Sequence, residues 1–135
     1  MVRLIAAAGV VATVWLGAAV VPASATSTAT TQKIKVHCRS GDTPGFVTPN
    51  KITVKVGDDV EWSMAGNVDA ESLEITLKDQ TQSWPFQGLQ AKGRNSARTG
   101  SAVEPGTYSY NVVLKCKVQG GEPVDEVIDP DIIIL

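Results

Sequence analysis

The sequence predicts an all-β sandwich, and three observations point to it. Apolar residues recur with period 2 in segment after segment from Lys33 onward. Gly, Pro, Asn and Asp separate these segments at roughly 8- to 12-residue intervals, the spacing of short sandwich strands. No run of ten or more residues shows helical periodicity. A chain of 135 residues with 43% hydrophobic content has the size of one domain and no room for a second core.

The first 25 residues are read apart from that domain. Arg3 supplies a short positive region, residues 4–21 are apolar and uncharged, and Pro22 precedes Ala23, Ser24 and Ala25, a small-residue site of the kind a signal peptidase cleaves. Residues 1–25 are therefore expected to be a secretory signal; the competing reading is a membrane anchor, because the apolar run is at the lower limit of spanning length. Residues 26–32, "TSTATTQ", are small and polar and are expected to be a flexible lead. The sandwich domain is assigned to residues 33–135. With cleavage the chain is expected to be secreted or periplasmic, with no stable membrane insertion.

Each strand follows from its alternation. "KIKVHC" places Ile34, Val36 and Cys38 on one face, and "KITVKV" does the same for Ile52, Val54 and Val56. "GDD" turns the chain into "VEWSM", where Val60, Trp62 and Met64 alternate with Glu61 and Ser63. "SLEITLK" turns Leu73, Ile75 and Leu77 inward. "TYSYNVVLKCKV" lines up Tyr108, Tyr110, Val112, Leu114, Cys116 and Val118; "QGGEP" is a hairpin turn, and "VDEVI" and "DIIIL" close the chain.

Cys38 and Cys116 both fall in the inward phase. In an exported chain the simplest use of two such cysteines is a disulfide. Two buried free thiols would also fit the pattern. A nucleophilic thiolate needs a base beside it, and the one histidine, His37, adjoins Cys38 and so points to the opposite face of its strand.

The run "VTPNKITVKVGDDVEWSM" (47–64), followed by "EPGTYSYNV" (104–112) and a C-terminal strand, resembles the cupredoxin-like family of Greek-key β-sandwiches. An ending of the "IDPDIII" type is similar to small exported bacterial proteins of that fold. The resemblance spans residues 33–135 and implies a cupredoxin-like sandwich. Familiar members hold copper with two histidines, a cysteine and usually a weak axial methionine. Here Leu73 and Glu74 stand near the first histidine position, Val112 or Val113 near the ligand cysteine, and "KVQGGEPVDEV" offers neither histidine nor methionine. Met64 falls in an inward phase, and Cys116 is offset along its strand from the ligand position. These departures from the family pattern imply no type 1 copper site, and no metal or other cofactor is expected.

Twelve Lys and Arg stand against fourteen Asp and Glu; loss of Arg3 with the signal leaves a net charge of −3. Without a basic run there is no footprint for nucleic acid or an anionic lipid surface. The carboxylates, Asp58, Asp59 and Glu126 among them, fall mostly in turns and outward phases and are expected to form a solvated face. H-x-x-x-H, C-x-x-C, G-x-S-x-G and phosphate-cradling glycine motifs are absent, so no enzyme chemistry is indicated.

One connection, residues 78–100, is long and polar yet carries Trp84, Pro85 and Phe86 together, with Lys92, Arg94 and Arg98 after them. Two readings stay open. The aromatics fold back as a lid over one end of the core, or they form a recognition loop whose cations pair with an acidic partner. Three functions remain: a metal-free module that binds an extracytoplasmic protein, peptide or glycan through loops at one sandwich end; a copper or electron-transfer protein with atypical ligands drawn from His37, Met64 and carboxylates; and a structural subunit of an envelope assembly that exposes a strand edge. The first is the leading expectation.

Overall fold

The computed structural model describes Gly17 and residues 28–135 apart from Asn67 and Gln119. The region read as a secretory signal lies, except for Gly17, outside the described residues. Ten strands are present among the described residues: β1 (Thr31–His37), β2 (Phe46–Thr48), β3 (Lys51–Val54), β4 (Asp59–Met64), β5 (Ala70–Leu77), β6 (Lys92–Gly93), β7 (Ser96–Arg98), β8 (Gly106–Cys116), β9 (Val124–Ile128) and β10 (Asp131–Ile134).

Alternation decides which side of each strand is covered. Ile34 and Val36 are fully buried while Lys33 and Lys35, which alternate with them, are exposed, and Leu73, Ile75, Val112 and Leu114 are likewise sealed. The strands form two sheets, ordered β2-β1-β4-β7 and β3-β10-β8-β5-β6, with β9 also pairing β8. β1 runs parallel to β4, and β3 parallel to β10; the other pairings are antiparallel. The chain passes back and forth between the sheets, which gives the expected all-β Greek-key sandwich. β9 and β10 share one edge of β8, with the Pro130 carbonyl accepting the Tyr110 N–H between them at 3.0 Å.

Trp62 and Tyr110 meet at the centre, ring centroids 5.6 Å apart and edge to face, and Trp62 Nε1 donates to the Tyr110 oxygen at 3.2 Å. Each thereby supplies the polar partner that burial denies the other. Burial drives the Tyr110 hydroxyl well above the ordinary phenol range, against the opposing effect of the Trp62 hydrogen bond.

Strand ends depart from the sequence reading. Thr31 and Gln32, expected in the flexible lead, belong to β1 and pair with Asp59 and Val60. A polar outer strand end needs only backbone partners and leaves no apolar period to read. Val56 and Val118 continue the inward phase in sequence, but β3 stops at Val54 and β8 at Cys116, and both valines are exposed. Met64, at the end of β4, is half-buried against the core.

The two ends of the sandwich differ. At one, Gly57 takes φ 99° in a turn closed by the Asp58 N–H on the Lys55 carbonyl at 2.9 Å, and glycine is the residue that tolerates that angle. At the other, β1 and β8 finish beside each other at the two cysteines.

Candidate functional site at the disulfide end

Cys38 follows β1 in the first sheet and Cys116 ends β8 in the second, and they form a disulfide with Cα atoms 6.1 Å apart. Beyond Cys38 the chain makes a small turn in which Ser40 and Thr43 exchange backbone hydrogen bonds, each 3.0 Å. A carboxylate anchors this strap. Glu126 lies opposite Leu114 in the inward phase of β9, and accepts from the Arg39 N–H at 3.0 Å, the Gly45 N–H at 3.0 Å and Arg39 Nε at 3.2 Å. Only 10% of its side chain is exposed. Gly45 permits this approach, since a Cβ there would collide with the Glu126 carboxylate and come within 2.9 Å of the His37 carbonyl.

Between the strap, the β4–β5 connection and the β8–β9 connection lies a cavity of 420 Å³. The disulfide contributes to its wall, with Val68, Val118 and Val124 around it, each at least 40% exposed. Arg39 and Lys117 bring positive charge and Glu126 negative. The Lys117 backbone is fixed by its N–H on the Asp69 carbonyl at 3.1 Å.

The candidate loop residues lie elsewhere, and two of them are corrected. Pro85 is fully buried and Phe86 is 4% exposed, so neither presents a recognition surface. The Pro85 carbonyl accepts the Val103 N–H at 2.8 Å, and Phe86 bridges to Ala102, whose own N–H and carbonyl join Asp58 and Gly57. The segment therefore closes the end of the core opposite the disulfide. Trp84 is half-buried, 5.3 Å from the Phe86 ring, and its Nε1 is buried without a hydrogen-bond partner among the described residues.

The three cations do not gather around that segment. Lys92 pairs in register with Glu74, and Arg94 sits in the β6–β7 turn. Arg98 is committed: its Nε donates to Asp59 and its Nη2 to Thr31 Oγ1 at 3.0 Å. Burial pushes the Asp59 carboxyl up, but the Arg98 guanidinium and the Thr31 hydroxyl outweigh it and hold the group below the usual range.

The donors present do not fit copper. Leu73 and Val112 are fully buried core residues, and Glu74 and Val113 face each other on the outer side of the sheet. His37 stacks on Phe46 with centroids 4.1 Å apart, and both cysteines are consumed by their bond. Among the described residues no three of His, Cys, Asp and Glu are grouped to hold a metal ion.

Two carboxylates expected on a solvated face are instead structural. Asp58 is buried at the turn, and Glu126 is mostly enclosed. For Glu126 the signal was present, because "VDEVI" places it in phase with Val124 and Ile128. The converging valines left none, since Val68 comes from the β4–β5 connection, far in sequence from Val118 and Val124 on either side of the β8–β9 turn.

No protein-family model matches the chain, and no curated protein matches it. Among solved structures, a pseudoazurin from Sinorhizobium is 17% identical, covering 78% of this chain and 74% of its own, with a TM-score of 0.43. A purple cupredoxin from Nitrosopumilus maritimus is 16% identical over 77% of this chain and 99% of its own, TM-score 0.43. Plastocyanin from Dryopteris crassirhizoma is 15% identical over 76% and 99%, TM-score 0.42. These neighbours are cupredoxins. A cupredoxin likeness of this size carries no copper chemistry, partner or compartment across to this chain.

Proposed function

We propose that the protein is an exported, non-catalytic binding module, a cupredoxin-like sandwich without a type 1 copper site, which takes an extracytoplasmic partner at the disulfide end. The observation that supports it is the convergence of Val68 and Val118, exposed on two separate connections, and Val124, exposed at the start of β9, around one cavity. Exposed apolar side chains gathered around a concavity favour an occupant that covers them. The disulfide and the Glu126 anchor hold the walls in place before binding, which lowers the entropy lost on association. Export is supported by the composition of residues 1–25 and by a disulfide, which persists in oxidising compartments. No helix among the described residues is long and apolar enough to cross a membrane.

The test uses oxidised protein recovered from the exported fraction, its intact mass expected to place the first residue at Thr26, as bait against the native extracytoplasmic fraction. A partner retained by the wild type and lost by Val118→Asp, with thermal stability unchanged, is the expected result. Val118 is an exposed turn residue, so the charge disturbs the cavity rather than the fold. Equal capture by both proteins would remove the cavity from the binding surface.

A further inference from the structure

Resting on that binding role, we infer that the cavity takes an aliphatic carboxylate, its anionic end at Lys117 and Arg39 and its alkyl group against the valines. Charge around the opening is unbalanced. Glu126 already accepts three N–H groups, one of them Arg39 Nε, so its charge is answered within the wall. Lys117 forms no ion pair with any carboxylate among the described residues, and the Arg39 side chain remains 54% exposed with its Nη atoms free of hydrogen bonds to described residues. Apart from Ser40 and Gly41 of the strap, the rest of the wall is hydrocarbon and sulfur, supplied by Val68, Val118, Val124 and the Cys38–Cys116 bond.

A cation at the rim of an apolar hollow is complementary to an anion whose remaining atoms are apolar. A carboxylate gains a charge-assisted hydrogen bond at the rim while its chain covers surface that water now wets. A glycan would set hydroxyls against the valines, and a neutral alkyl group would leave Lys117 unanswered. At 420 Å³ the cavity is near the small end of the roughly 300–1,000 Å³ range of ligand sites. It therefore suits a short alkyl chain, and the shared chemistry has two sources: a free short-chain acid, or the C-terminal residue of a peptide ending in Val, Leu or Ile.

The experiment is an amide NMR titration of the oxidised full chain with four probes: hexanoate, hexanamide, acetyl-Val-Val with a free carboxylate, and the same dipeptide amidated. The free acids are expected to shift the amides of Val68, Lys117, Val118 and Val124, and to bind about tenfold tighter than their amides, the scale of one hydrogen bond to a charged group. Lys117→Gln, an exposed substitution that leaves the backbone bond to Asp69 intact, should remove that advantage and leave hexanamide unaffected. Whichever acid binds tighter names the source, and either supports the inference. Acids and amides binding equally, acid binding that survives Lys117→Gln undiminished, or no shift at the cavity with any probe overturns it. The binding role fails separately, if Val118→Asp captures the partner as well as the wild type does.

Discussion

Asp58 shows how much of a turn one carboxylate can hold. Its Oδ1 accepts the Thr30 N–H and its Oδ2 the Lys55 N–H, each at 3.0 Å, joining the approach to β1 to the β3–β4 turn. The hydrogen bond from Thr30 first, then that from Lys55, holds its carboxyl below the usual range despite burial. A carboxyl that titrates lower when folded stabilises the fold in its charged form; that contribution is complete above the unfolded pKa of about 3.9 and is lost as pH falls through the folded value. Asp58→Asn is therefore expected to lower stability by about 1–2 kcal/mol at neutral pH, the scale of two backbone hydrogen bonds. The gap from the wild type should close as pH drops from about 4 toward 2, measured by urea unfolding at each pH. A gap that stays constant would mean the charge is irrelevant. "GDD" revealed the turn, but not that one of its acids faces a backbone N–H 28 residues earlier. Glu126 poses the same difficulty more strongly, since its donors lie 87 and 81 residues away. Alternation reports the face a side chain occupies, and says nothing of the main-chain donors waiting there.

At the scale of elements, strands of four or more residues were legible and the two- and three-residue ones were not. β1, β4, β5 and β8 each carry at least three alternations and were placed from the pattern alone. β6 and β7, with two and three residues, are too short to show a period, so the connection from 78 to 100 read as one long loop. The same brevity left Trp84, Pro85 and Phe86 undecided between lid and recognition surface. Hydrogen bonds from Val103 to Pro85 and from Gln87 to Ser101 pin Pro85 and Phe86 on the core, while Trp84 stays half-buried at its margin. Phe86→Ala is expected to cost about 3–5 kcal/mol of stability, as truncation of a buried phenylalanine does. Any partner captured at the disulfide end should still be captured below the lowered melting temperature. Loss of capture by a fully folded Phe86→Ala protein would return the segment to the binding surface.

For the whole molecule the disulfide is the largest single constraint. It closes a separation of 78 residues and ties the first sheet to the second. Chain entropy gives such a closure about 4 kcal/mol, a large share of the net stability of a domain this size. Reduction, or the double substitution Cys38→Ser with Cys116→Ser, should lower the denaturant midpoint accordingly and loosen the strap at Arg39 and Gly45, read as faster amide exchange there than at Trp62. An unchanged midpoint would show that Glu126 and the core hold that end unaided. The pairing could be expected from two inward-phase cysteines in an exported chain, whereas the cavity beside it depends on where three loops converge, which no local pattern encodes.

The strand directions also decide how the domain would be carried. β1 begins at Thr31 beside Asp59, and β10 runs out at Leu135, which exchanges hydrogen bonds with Val54 and Val56. Both points lie at the Asp58 turn, the full length of the sandwich from the cavity. A tether joined to the chain before Thr31 or after Leu135 would therefore meet the molecule at its foot and leave the opening between Lys117 and Val68 facing outward, like the mouth of a cup on a stem.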